Sequence, residues 1–87
     1  MATVLLPRSL VALFPGAPRH CDVDATTVAE AIDRLDDLVP GMRNRLLDAG
    51  PSIRRHINVY VDGAPATLAT PIDPGSTIHV IPAVSGG

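Results

Sequence analysis

The clearest local signal in the chain is an apolar stripe at helical spacing: Val28, Ala31, Ile32, Leu35, Leu38 and Val39. Asp33, Arg34, Asp36 and Asp37 fall on the other side, so a helix here must bury one face and wet the other. Thr27-Val28-Ala29-Glu30 marks its start as a capping box, in which the Thr27 hydroxyl accepts from the Glu30 amide and the Glu30 carboxylate reaches back to the Thr27 amide. Pro40-Gly41 ends it. A lone amphipathic helix cannot cover its own stripe, so the remaining segments must supply the second layer.

Those segments read mainly as strands. Residues 3–6, Thr3-Val4-Leu5-Leu6, are β-branched or aliphatic and stop at Pro7. Leu10-Val11-Ala12-Leu13-Phe14 is apolar too, but periodicity does not separate strand from helical turn in so short a run. Pro15-Gly16-Ala17-Pro18 is a turn, and His20-Cys21-Asp22-Val23 a short strand with Cys21 and Val23 on one face. Met42, Leu46 and Leu47 predict a further helical turn or two, closing at Gly50-Pro51. Ile57-Asn58-Val59-Tyr60-Val61 alternates strictly into Asp62-Gly63, the dipeptide of a type I′ hairpin. Pro65 confines the returning segment to a sheet edge. Asp73-Pro74-Gly75-Ser76 suits a type II turn, and Thr77-Ile78-His79-Val80-Ile81 is the last strand. One helix on one face of a mixed sheet is the architecture these elements allow.

Composition narrows the function classes. The chain has 87 residues, enough for one domain with one small core. Nine acids against seven bases give a net charge of −2, so no excess of positive charge points to nucleic acid. No apolar run is long enough to span a bilayer, and Met1-Ala2-Thr3 lacks the pattern of a secretory signal. A single cysteine, Cys21, excludes an internal disulfide and fits a reducing, cytoplasmic setting. All seven basic residues are arginine, so the chain offers no lysine for self-conjugation.

Few residues could carry chemistry. His20, His56 and His79 lack metal-ligand spacing with Cys21 and read as surface or edge histidines. Cys21 reads as a small apolar strand residue, because Asp22 opposes thiolate formation. No serine lies in a nucleophile elbow, and no glycine-rich loop joins a strand to a helix. Arg54-Arg55-His56 is a small basic cluster without aromatic stacking partners, which favours a solvated strand entry over an RNA site. No catalytic or metal residues are therefore assigned. The end of the chain differs. After the last strand and Pro82 come Ala83, Val84, Ser85, Gly86 and Gly87, a slim tail tipped by a carboxylate that can thread where any Cβ would clash. A carboxylate is a poor electrophile until it is activated, for example as an acyl-adenylate.

Taken together, Ile57-Asn58-Val59-Tyr60-Val61-Asp62-Gly63, Asp73-Pro74-Gly75-Ser76-Thr77-Ile78 and Val80-Ile81-Pro82-Ala83-Val84-Ser85-Gly86-Gly87 resemble the MoaD/ThiS family of ubiquitin-like sulfur carriers. Pro40-Gly41 and Arg45-Leu46-Leu47-Asp48 also fall where that family has them. The resemblance covers essentially the whole chain and is most specific from Pro82 to Gly87. Its pattern is nearest to the CysO-like carriers of a cysteine-biosynthesis route. Molybdopterin-synthase small subunits share it loosely. Ser85 stands where alanine is common in the family.

The resemblance implies an α+β, β-grasp fold, with a mixed sheet of about four to five strands on one main helix. Residues 1–82 would form the domain and 83–87 a flexible Gly-Gly tail. It implies that an E1-like enzyme of the MoeB/ThiF type adenylates Gly87 using Mg-ATP, that sulfur then gives a C-terminal thiocarboxylate, and that a synthase accepts the sulfur. That synthase would be cysteine-synthase-like or a molybdopterin synthase large subunit. The carrier itself would bind no cofactor and would not be an enzyme. Two alternatives stay open: a ubiquitin-like modifier conjugated through Gly87, and a non-catalytic β-grasp binding module. If Ile57, Val59 and Val61 face the helix, then Tyr60, His79 and Ile81 form an exposed, partly apolar patch beside the tail, a candidate partner surface.

Overall fold

The computed structural model describes residues 1–82. Its elements in chain order are β1 (Ala2–Leu5), α1 (Arg8–Val11), β2 (His20–Val23), α2 (Val28–Leu38), α3 (Met42–Leu46), β3 (Leu47–Asp48), β4 (Ser52–Ile53), β5 (Ile57–Val61), β6 (Ala64–Pro65) and β7 (Thr77–Pro82). Five of the strands form one sheet in the order β2-β1-β7-β5-β6. The central pair, β1 and β7, is parallel and in register Thr3↔Thr77, Val4↔Ile78 and Leu5↔His79. All other pairs are antiparallel, and α2 covers one face. This is the β-grasp arrangement that the resemblance implies.

Alternation decides which side chains meet α2. Ala2 and Val4 of β1, Cys21 and Val23 of β2, Val59 of β5, and Ile78 and Val80 of β7 are buried. They meet Val28, Ala31, Ile32 and Leu35 of α2, and Ile57 and Val61 pack half-buried against the same core. The core is aliphatic, with Phe14 at its margin. Leu38 departs from the expected stripe and is 60% exposed. The reason is local: Val39 leaves the helix (φ −131°, ψ 85°) and takes the buried place, while Met42 and Leu46 of α3 fill the core behind it.

The local signals resolve as follows. The Thr27 hydroxyl accepts from the Glu30 amide at 3.2 Å, as a capping box requires. The return bond is displaced by one residue: the Glu30 carboxylate accepts from Thr26 N at 2.9 Å, not from Thr27. The ambiguous run after Pro7 is the helical turn α1, which buries Leu10. Helix α3 stops at Leu46, earlier than Gly50-Pro51, because Leu47-Asp48 pairs with Ser52-Ile53 in a separate small hairpin. Gly41 stands between α2 and α3 at φ +97°, where an added Cβ would lie 3.1 Å from the Phe14 ring. The Asp36 carboxylate accepts from Gly41 N at 3.1 Å and Arg43 N at 3.0 Å, satisfying donors at the start of α3.

Both hairpin and turn predictions hold. Asp62 (φ 50°) and Gly63 (φ 87°) join β5 to β6 with both central residues left-handed, as a type I′ turn needs. Ser76 N donates to Asp73 O at 2.9 Å across the turn that launches β7. Ser76 is buried, and its hydroxyl is satisfied by the Asp73 amide at 3.0 Å.

Leu35 is fully buried beneath the sheet. Leu35→Ala should therefore cost about 2–5 kcal/mol in urea unfolding. Thr27→Ala removes only the cap and should cost about 1 kcal/mol.

Candidate functional site

The tail root, Pro82, is the last described residue, at the end of β7, a strand held on both sides over its first half and by β5 to its end. β5 pairs with β7 along its whole length, from Val61↔Ile78 to Ile57↔Pro82, while β1 pairs with its first half. The end of β7 is thus a fixed point on the body. Ala83, Val84, Ser85, Gly86 and Gly87, assigned as tail and sulfur-carrying terminus, lie outside the described residues, as does the domain boundary after Pro82.

The sheet face away from α2 leads to that root. Register places His20, Leu5, His79, Tyr60 and Pro65 in one line across all five strands. Tyr60 and His79 are therefore direct cross-strand partners, and Ile81 lies two residues further along the same face, opposite Asn58. His79 is exposed, Tyr60 half-buried and Ile81 41% exposed. An exposed isoleucine beside a half-buried tyrosine gives this face an apolar centre. Toward the other end it turns polar: the Thr3 hydroxyl donates to the Asp22 carboxylate at 2.9 Å, and Thr77 N donates to Asp62 at 2.9 Å. The three residues singled out in the sequence thus share one face.

Two neighbours were missed from sequence. Leu5 lies between His20 and His79 because β1 pairs with β7. Arg19 joins Leu5, Pro7, His79, Ile81 and Pro82 around a cleft of about 380 Å³. Nothing in a linear reading places residue 19 beside residue 82.

The body offers little chemistry of its own. Cys21 is 4% exposed and its sulfur lies 3.9 Å from Pro18 O. Burial pushes its thiol above the ordinary range, and the Asp22 carboxylate adds to the shift. A buried, protonated thiol is a poor nucleophile. His56 precedes Ile57 at the far end of β5 from Tyr60, so it does not share a site with His79. Among the described residues, no three His, Cys, Asp or Glu side chains cluster to hold a metal, and no helix is long and apolar enough to cross a membrane. Arg54 of the basic cluster is committed structurally: its guanidinium donates to Asn44 O at 2.7 and 3.1 Å and pairs with Asp48 at 3.1 Å.

The ThiS family model matches residues 12–87. No curated protein sequence matches the chain. Among solved structures, a chain of the Amycolatopsis orientalis BexX/CysO complex is 28% identical, with each chain fully covered and a TM-score of 0.87. Mycobacterium tuberculosis CysO is 27% identical over 97% of this chain and 100% of its own, also at 0.87. SAMP1 from Haloferax volcanii is 31% identical over 99% of this chain and 98% of its own, at 0.76.

Ile81→Asp places a charge on an exposed position, so the domain should stay folded, with its urea midpoint shifted by less than Leu35→Ala shifts it. Native Cys21 should react with a maleimide far more slowly than the same chain in urea, because the thiol is both covered and held protonated.

Proposed function

The chain belongs to the ThiS family, and on that premise we propose that it is a sulfur carrier acting through the α-carboxylate of Gly87. The observation that carries this reading is a family match running through Gly86-Gly87, reached by a strand clamped between two others. Free carboxylate is unreactive toward sulfur nucleophiles. An E1-like enzyme of the MoeB/ThiF type would supply Mg-ATP: a carboxylate oxygen attacks the α-phosphorus, pyrophosphate leaves, and an acyl-adenylate results. Hydrosulfide then attacks the acyl carbon, AMP leaves, and loss of the thiol proton yields the thiocarboxylate. Gly86 and Gly87 carry no side chains, so the terminus passes through a channel too narrow for a Cβ.

The division of labour follows from the body's chemistry. With Cys21 covered, the carrier contributes recognition and presentation, and its partners contribute catalysis. The apolar centre at Tyr60, His79 and Ile81 is the docking face beside the tail. CysO of Amycolatopsis orientalis forms a complex with BexX. By analogy this carrier docks on a sulfur-accepting enzyme. The likeness to two CysO proteins favours a cysteine-synthase-like acceptor over a molybdopterin synthase large subunit.

A second reading has its own support, since a structure 29% identical is that of H. volcanii small archaeal modifier protein 1. Conjugation through Gly87 to lysines of other proteins uses the same adenylate. Chains linked through this protein's own lysines are impossible, because it has none.

Intact mass of the protein isolated from its native host tests the carrier reading. The expected result is a species heavier by the exchange of one oxygen for sulfur, mapped to Gly87, trapped by a thiocarboxylate-selective alkylating reagent and abolished when Gly87 is deleted. A terminus left unchanged by ATP, a sulfur source and every activating enzyme of that host would overturn it. Recovery of Gly87 in an isopeptide bond to another protein would favour the modifier.

A further inference from the structure

The arginines of this protein without an acidic partner gather at one end of the strands, the end at which β7 delivers Pro82. β1 and β7 run the same way, so the ends of both strands and the starts of β2 and β5 lie at one end of the sheet. Arg8 opens α1 just beyond the end of β1, and Arg19 directly precedes β2. Arg55 lies two residues before β5. Arg45 of α3 lines one cleft with Arg55, His56 and Ile57, the residue paired with Pro82, and the one acid there, Asp48, is paired with Arg54. Arg19 lines the other cleft with Ile81 and Pro82 itself. Two clefts therefore flank the root, and each contains arginine.

These are also the arginines without internal acids. Arg34 pairs with Asp37, Arg43 with Asp33 and Arg54 with Asp48. Among the described residues, Arg8, Arg19, Arg45 and Arg55 form no ion pair, and all four are exposed. The opposite end is acidic. Asp24 follows β2, Asp62 sits in the β5–β6 turn and Asp73 in the turn before β7, all exposed.

Distance decides whether a partner feels the net charge or the pole. The five residues of β5, Ile57–Val61, separate the two ends by roughly 17 Å at about 3.3 Å per residue. The screening length at physiological ionic strength is about 8 Å. A surface meeting the tail end is thus about two screening lengths from the acidic end. It meets a positive collar, although the chain as a whole carries −2.

We infer that Arg8, Arg19, Arg45 and Arg55 form a collar around the tail root that fits an acidic protein surface, the rim of the channel through which an activating enzyme takes the tail. The occupant is protein because the collar is interleaved with exposed aliphatic surface, Leu13 and Ile81 at 51% and 41% exposure, the mixture of arginine and apolar area found at protein interfaces. Attraction at this end and repulsion at the other orient the carrier tail-first. Such steering raises association rate rather than the chemical step.

The inference rests on the carrier reading above, and one experiment separates their failures. ATP–pyrophosphate exchange is measured with the activating enzyme of the same host and the full-length chain. Arg8→Glu, Arg45→Glu and Arg55→Glu are combined, while Arg19 is kept because its Nε donates to Leu6 O at 3.3 Å. Arg34→Glu, on the outer side of α2, makes the same per-site charge change away from both clefts. The expected result is a fall in kcat/KM of about tenfold or more for the combined variant, with kcat kept and the salt dependence between about 50 and 300 mM flattened. Arg34→Glu should match wild type, and melting curves should confirm that all variants fold. A combined variant equal to wild type overturns the collar and leaves the carrier reading intact. A per-site loss in Arg34→Glu equal to that of the combined variant, whose three substitutions move the charge by −6 against −2, overturns it too, since net charge then suffices. Binding of a single-stranded RNA oligomer lost in the combined variant, with exchange unaffected, would assign the arginines to nucleic acid instead. Wild-type chain that supports no exchange would sink both readings together.

Discussion

The parallel pairing of β1 with β7 is the constraint on which the rest of the structure depends. It brings the first strand beside the last, so the sheet closes around its final element. Once β5 adds to the other side, β7 becomes a central strand rather than an edge. A central strand has its ladder groups paired on both sides and resists fraying. The first half of β7, Thr77 to His79, is paired on both sides, and β5 carries the pairing on to Pro82, which places that residue beside both clefts.

The two faces of that sheet have separate duties. One is consumed by α2, whose Val28, Ala31, Ile32 and Leu35 meet the inward residues of the strands. This aliphatic layer holds a 9.1 kDa body together with no disulfide. The other face stays in water and keeps a line of histidine, leucine and tyrosine side chains across the strands. A small domain cannot cover both sides of its sheet. The uncovered side keeps Tyr60, His79 and Ile81 within reach of a partner.

Much of the fold was legible because the relevant physics is local. Thr27 and Glu30 announce a helix start whatever surrounds them, and Asp62-Gly63 supplies left-handed backbone at both turn positions. Alternation in 57–61 and 77–81 divided the side chains into two sets, and the burial of Val59, Ile78 and Val80 decided which set meets the helix. Less legible were features set by competition between segments. Leu38 has the right spacing for burial, yet Val39, Met42 and Leu46 occupy that volume. Leu47-Asp48 has helical neighbours, yet hydrogen-bonds to Ser52-Ile53.

The sequence by itself determined the main helix with its buried stripe, the principal strands and their turns, the aliphatic core and a Gly-Gly end with no competing catalytic constellation. These rest on capping, periodicity and turn chemistry, which act within a few residues. Only the tertiary structure decided that Leu5 sits between His20 and His79, that Arg19 borders Pro82, and that Arg45 and Arg55 share a cleft at the tail root. Those neighbours are far apart in the chain. Their proximity comes from strand order and register, which backbone hydrogen bonding and burial of the whole sheet select together, and which no short window of residues encodes.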